Sequence, residues 1–251
     1  MPDASSKTGR RDRELAQLAP RPEHHHREID RGTARAAVFG VSDGLVSNVS
    51  LILGVAGANP GAGIVRLAGL AGLISGAVSM AAGEYVSMKA QTELYERELE
   101  LERRELRRNP HVETVELTQI YQSRGVDPDR ARELAEQMMK DPEMALQTHA
   151  REELGIDPDK LGSATGAAVS SFIAFALGAL VPLLPWFFGT GTAATVASIV
   201  LGAVACVVVG TLLARFTGRP AWFSAARQLA IATVAAGTTF LVGHLVGVGV
   251  S

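Results

Sequence analysis

The chain has 251 residues, 24 Lys and Arg against 26 Asp and Glu, a formal net charge of −2 and a single cysteine, Cys206. The balance of charge gives no support to a nucleic-acid partner, and a lone cysteine excludes both an intrachain disulfide and a thiolate cluster within one protomer. The mean hydropathy of +0.17 averages two unlike parts, so it does not argue for a soluble globule: residues 161–214 run for 54 positions, and residues 228–251 for 24, without Asp, Glu, Lys or Arg.

Residues 1–30 are charged, carry Pro20 and Pro22 and lack apolar periodicity, which reads as a tail or a short surface helix. His24, His25 and His26 either collect metal there or are merely solvated. No cleavable signal is expected, because the first apolar stretch is long enough to stay in a bilayer.

Residues 36–65 contain Asp43 as their only charge, and about 20 apolar residues suffice for a helical span. Gly57 to Gly63 reads as a turn. Residues 67–83 are uncharged again, and from Gly69 to Arg108 no proline interrupts a helix that leaves the apolar zone and becomes rich in Glu93, Glu96, Glu98, Glu100, Glu102 and Glu105. Met80, Glu84 and Met88 recur at i, i+4, i+8 on it, so two thioethers and a carboxylate are expected on one helical face.

Four Asx-Pro steps follow, at Asn109, Asp127, Asp141 and Asp157. An Asx cap with proline at the first helical position is a start signal. Short helices are expected at 110–123, 128–140 and 142–154, stopped by Gly125 and Gly155, and nothing here has a strand period. Two further spans fit in 161–214, broken by Pro182, Pro185 and Gly189, and a fifth in 228–251. The expected fold is an all-α membrane protein of five transmembrane helices, with a cytoplasmic helical metal-binding domain at 91–160 between spans two and three. The parts are a tail at 1–30, spans one and two at 31–90, and spans three to five at 161–251.

Lys and Arg mark one side. Arg27, Arg31 and Arg35 precede span one, Lys89, Arg97, Arg103 and Arg104 follow span two, and Arg215, Arg219 and Arg227 join spans four and five, whereas the other side has only Arg66. The positive-inside rule puts the N-terminus and the 90–160 segment in the cytoplasm.

Asp43 is the residue hardest to explain by packing alone. A carboxylate well inside the apolar layer costs a few kcal/mol, so it faces a cavity, a partner or an ion; the alternative is a packing Asp bonded to Ser42 or Ser47. Met80 fills a gap in the core or, paired with Asp43 on the adjacent span, adds a soft thioether to a hard oxygen, a combination suited to Fe(II) or Mn(II). Glu84 reads as an interfacial anchor or a pathway carboxylate. In the inserted segment, Glu102-x-x-Glu105 and Glu113-x-x-Glu116 each put two carboxylates on one face, and two such helices side by side can hold a divalent cation, with His149, Glu152 and Glu153 to complete the shell. Salt bridges to Arg103, Arg104, Arg107 and Arg108 are the plainer reading of the first pair, and favourable placement near a helix N-terminus is that of Glu113. His111 and His244 read as structural. No nucleophile elbow, P-loop or dinucleotide fingerprint is present, so no enzyme is expected.

Through Phe39-Gly40-Val41-Ser42-Asp43-Gly44-Leu45 and Gly76-Ala77-Val78-Ser79-Met80-Ala81-Ala82-Gly83-Glu84-Tyr85, the chain resembles the vacuolar iron transporter family over residues 31–251. The resemblance implies a homodimer of five-span protomers with an ion path at the dimer interface. It also implies proton-coupled export of Fe(II), and often Mn(II), from the cytoplasm, with those ions as cargo and no permanent cofactor. Asp43 and Met80 match the family's pathway residues, and Glu102, Glu105, Glu113, Glu116 and Glu153 its cytoplasmic carboxylates. Where plant members carry Met-Met this chain has His149-Ala150, and where they carry glycine it has Glu84, a pattern that looks bacterial and points to a plasma membrane. Rival readings are a membrane-anchored di-iron ferroxidase or metal store and a metal-responsive signalling protein.

Overall fold

The computed structural model describes residues 31–250, so the tail and its His24 to His26 reading lie outside the described residues. Among the described residues the chain is all helical: α1 (Arg31–Gly57), α2 (Ala62–Arg108), α3 (Pro110–Ser123), α4 (Pro128–Met138), α5 (Pro142–Glu152), a 3-10 turn (Pro158–Lys160), α6 (Ala164–Leu183), α7 (Pro185–Phe188), α8 (Gly191–Thr217) and α9 (Ala221–Val250). Five of them, α1, α2, α6, α8 and α9, are long and apolar enough to cross a bilayer. The protein is an integral membrane protein with a helical insertion, α3 to α5, between its second and third spans.

The helix expected from Gly69 begins earlier, at Ala62, because nothing between the turn and Gly69 breaks it. Its 47 residues rise about 70 Å at 1.5 Å each, more than twice the roughly 30 Å of a hydrocarbon core. The half beyond residue 84 therefore stands outside the membrane and carries the acidic run to the inserted helices.

Helix α1 is the hub, packed most extensively on α6 and also on α9, α2 and α8. Two glycines set the α1/α6 approach: a methyl on Gly44 would meet the Phe175 carbonyl, and one on Gly178 the Val41 carbonyl. Close backbone contact at small residues is how helices associate where lipid offers no hydrophobic drive. Helices α1, α6 and α9 run parallel, because Gly40 meets Ser171 while Gly44 meets Phe175, and Ser42 meets Gln228 while Ser50 meets Thr239. Helix α2 returns antiparallel, with Gly72 beside Leu51 and Glu84 beside Arg35. Arg35, Lys89, Arg215, Arg219 and Arg227 thus gather at one end of the bundle.

The inserted helices begin where the Asx-Pro steps put them. The carboxylates of Asp127, Asp141 and Asp157 accept from backbone amides of the first turn. Asn109 makes no such side-chain bond; it is also the residue that ends α2, where its own amide donates to the Glu105 carbonyl at 2.8 Å. Gly125 and Gly155, with φ of 90° and 66°, take the left-handed conformation that stops a helix and that glycine adopts without strain.

Candidate metal-binding site and membrane cleft

Three helices converge on one ligand group. Helix α2 supplies Glu102, α3 supplies Glu113, and α5 supplies His149 with Glu153 at its C-terminal cap. One ligand atom from each lies within 4.8 Å of the others. His149 Nδ1 faces all three carboxylates, at 3.2 Å from Glu102 Oε1, 3.3 Å from Glu153 Oε2 and 3.8 Å from Glu113 Oε2. His149 is 0%, Glu102 3% and Glu113 6% exposed, a degree of burial that carboxylates reach only when paired or coordinated.

That burial has an electrostatic consequence. Desolvation first, then the charges of Glu153, Glu113, Glu105 and Glu116, push the Glu102 carboxyl up to about 7. Desolvation raises Glu113 as well, although His149 pulls it back. Three carboxylates turned toward one point repel one another when ionised, and a divalent cation among them removes the repulsion, with the His149 imidazole beside them as a further ligand. Ligands held at roughly 2.0–2.2 Å around a first-row ion stand about 3–4 Å apart, so a small inward movement closes the group on a metal.

Glu105 is exposed and Glu116 half-buried; neither belongs to the group of four, though both add to the field on Glu102 and Glu113. Glu152 pairs instead with Arg124. Glu100, at the exposed root of the segment, pairs with Arg103 at 3.2 Å and Arg104 at 3.1 Å, and those partners hold its carboxyl below the usual range.

A second polar place lies between α1 and α2. Asp43, Ser47, Asn48, Ser79 and Met80 line an open cleft of about 290 Å³ with Phe39, Leu51, Gly72, Gly76 and Phe175. The structure thus brings Asp43 and Met80 together. Ser47 donates its hydroxyl to the Asp43 backbone carbonyl at 2.6 Å, and Ser42 accepts from Gln228 Nε2 at 2.6 Å. Asp43 is exposed in the single chain and lines this cleft.

Glu84 is placed apart from them, its carboxylate 3.5 Å from Arg35 of α1. Met88 leaves the shared face altogether and is buried against Ala36 and Ala167. The reason is geometric: eight residues at 100° each return about 80° off register, so a stripe spaced i, i+4, i+8 winds from the cleft into the α1/α6 contact. Sequence reasoning missed Asn48 and the Arg35–Glu84 pair. An uncharged amide five residues past Asp43 in an apolar helix was the signal for the first.

The cluster and the cleft occupy one helix, Met80 and Glu102 of α2, and comparison with known proteins covers both. The VIT family profile matches residues 34–244. The chain is 31% identical over 231 residues to the vacuolar iron transporter 1 of Oryza sativa subsp. japonica, spanning 90% of this chain and 92% of that one. It is 32% identical over 213 residues to vacuolar iron transporter 1 of Arabidopsis thaliana, at 84% and 85% coverage. It is 46% identical over 154 residues to the vacuolar iron transporter of Acanthamoeba castellanii (strain ATCC 30010 / Neff), at 61% and 55%. With a profile match across nearly all of its spans and the inserted helices, this chain belongs to the VIT family.

Proposed function

We propose that the chain is a homodimeric antiporter that exports Fe(II), and Mn(II), from the cytoplasm in exchange for protons. The observation that carries this is the group of Glu102, Glu113, His149 and Glu153, the first three of them buried, whose Glu102 stands on the same continuous helix as Met80, which shares a cleft with Asp43. Glu102 lies 22 residues beyond Met80, about 33 Å along α2. The cluster gathers the ion, with Glu105 and Glu116 attracting it, and Asp43, Met80 and Glu84 form the membrane path. Carboxylate and imidazole ligands with one thioether suit Fe(II) and Mn(II).

Protons couple through the same oxygens, since a carboxylate lone pair holds a proton or a metal but not both. The exposure of Asp43 supports the dimer. A carboxylate opening toward lipid is costly, and a second copy laid over α1 and α2, where Ile74 and Val78 are also exposed, encloses it. A cytoplasmic N-terminus and cluster are supported by the basic residues gathered at that end, through the positive-inside rule, and Glu84 with His149-Ala150 favours a bacterial-type member in a plasma membrane.

The test is flux in proteoliposomes with the inserted helices facing outward. Vesicles acidic inside should take up Mn(II), or Fe(II) under anaerobic conditions, and lose protons as they do. Uptake that ignores the proton gradient contradicts antiport, and no uptake of either ion contradicts transport.

A further inference from the structure

Asn48 sits on the floor of the α1/α2 cleft and is 2% exposed. Its amide is fixed by what lies on one side of it: Nδ2 donates to the Ala179 carbonyl of α6 at 2.6 Å. Turning the amide over would set two oxygens against each other, so Oδ1 must point the other way. There it has no hydrogen-bond partner among the described residues, and a methyl added at Gly72 of α2 would lie 2.9 Å from it. An unpaired buried carbonyl costs about 1–3 kcal/mol, and this one is retained at the lining of a polar cleft, five residues and about 7.5 Å along α1 from Asp43.

We infer that Asn48 Oδ1 is a further coordinating residue of the ion path, a neutral oxygen ligand lying deeper in the membrane than Asp43 and Met80. This rests on the transport reading above. A neutral ligand suits that position: it replaces one hydration oxygen of a divalent cation without adding a second charge that would trap it. Gly72 sets no side chain of its own against the oxygen, and the Nδ2 bond to Ala179 holds it in place before the ion arrives. The preference is for ions that accept oxygen ligands, such as Mn(II) and Fe(II), over softer ones.

Two variants test this against a merely structural tie between α1 and α6, with Mn(II) binding at the Glu102 cluster reporting that each is folded. Asn48→Leu removes the oxygen and should lower Mn(II) flux by at least about tenfold, the loss that even an outer partner of a metal ligand brings. Gly72→Ala keeps the Asn48–Ala179 bond and sets a methyl against Oδ1 once the flexible end of the Leu51 side chain turns aside, so it should lower flux too, and it decides the matter if Asn48→Leu does not fold. Asn48→Met exchanges oxygen for a thioether and should raise the ratio of Cd(II) to Mn(II) flux several-fold, which loss of a packing bond would not do. Wild-type Mn(II) flux in Gly72→Ala together with an unchanged metal ratio in Asn48→Met overturns the inference, while the transport reading survives provided Asp43→Asn is inactive. Wild-type flux in Asp43→Asn would overturn that reading and this inference with it.

Discussion

Arg35 of α1 reaches across to Glu84 of α2 at 3.5 Å, two helical turns from Asp43 along α1 and one turn from Met80 along α2. The guanidinium of Arg35 is thereby engaged away from the cleft, and among the described residues no Lys or Arg forms an ion pair with Asp43. On the proposed path, an ion leaving the inserted helices for the cleft passes Glu84.

Because the guanidinium competes with the cargo for that carboxylate, Arg35→Gln should lower the KM for Mn(II). The side chain of Arg35 is 67% exposed, so screening limits the pair to about 0.2–1 kcal/mol and the change to at most about fivefold. Initial uptake rates across a Mn(II) series check this. A raised KM would mean that Arg35 supports the path instead of blocking it.

Removing a ligand from the buried group should be far more damaging. His149→Ala and Glu102→Gln should each weaken Mn(II) binding by the full-length protein at least about tenfold, whereas Glu105→Gln, whose residue is exposed and outside the group, should cost only a few-fold through the lost field. Calorimetric titration of the detergent-solubilised chain reads all three. Equal losses for Glu102 and Glu105 would mean that the loaded site draws in a wider shell than the four residues now gathered.

The pH dependence has a definite sign. Glu102 titrates near 7 in the folded chain against an ordinary 4.5, so between those values the folded site keeps a proton that the unfolded chain has lost. Its contribution therefore favours the unloaded fold at low pH and weakens it as pH rises through that window. Metal binding must expel the proton, so affinity rises over the same range. The increase in melting temperature on adding Mn(II) should be larger at pH 8 than at pH 5.5, and Glu102→Gln should flatten the difference. A metal-induced shift independent of pH in the unaltered protein would contradict the assignment.

Asp141 offers a test of positioning at a distance from the ligands. Its carboxylate accepts from the amides of Glu143 at 2.9 Å and Met144 at 3.0 Å, and losing such a cap costs about 1 kcal/mol. Asp141→Ala should speed hydrogen exchange in the first turn of α5 and weaken Mn(II) binding by several-fold, less than His149→Ala does. Unchanged exchange would show that packing, not the cap, holds that helix.

Much of this was legible from residues alone. Charge segregation marks the five spans because burial in lipid tolerates so few ionised groups, and the Asx-Pro steps mark the inserted helices because cap chemistry is local. Glu-x-x-Glu was less decisive. Residues three apart differ by about 60° around a helix, so Glu-x-x-Glu brings two carboxylates to one broad face, and packing against α3 and α5 decides that Glu102 and not Glu105 joins the group. His149 was readable as a ligand from its place one helical turn before Glu153. Met88 was not readable as core, and Arg35 was not readable as the partner of Glu84, because both depend on how α2 winds past α1 and α6.

The central claim is that Asp43 carries the ion across the membrane while the Glu102 group collects it, and Asp43→Asn separates the two. Measured on one preparation, this variant should bind Mn(II) at the cluster with unaltered affinity yet show no Mn(II) uptake into acid-inside proteoliposomes. Uptake at the normal rate would contradict the account.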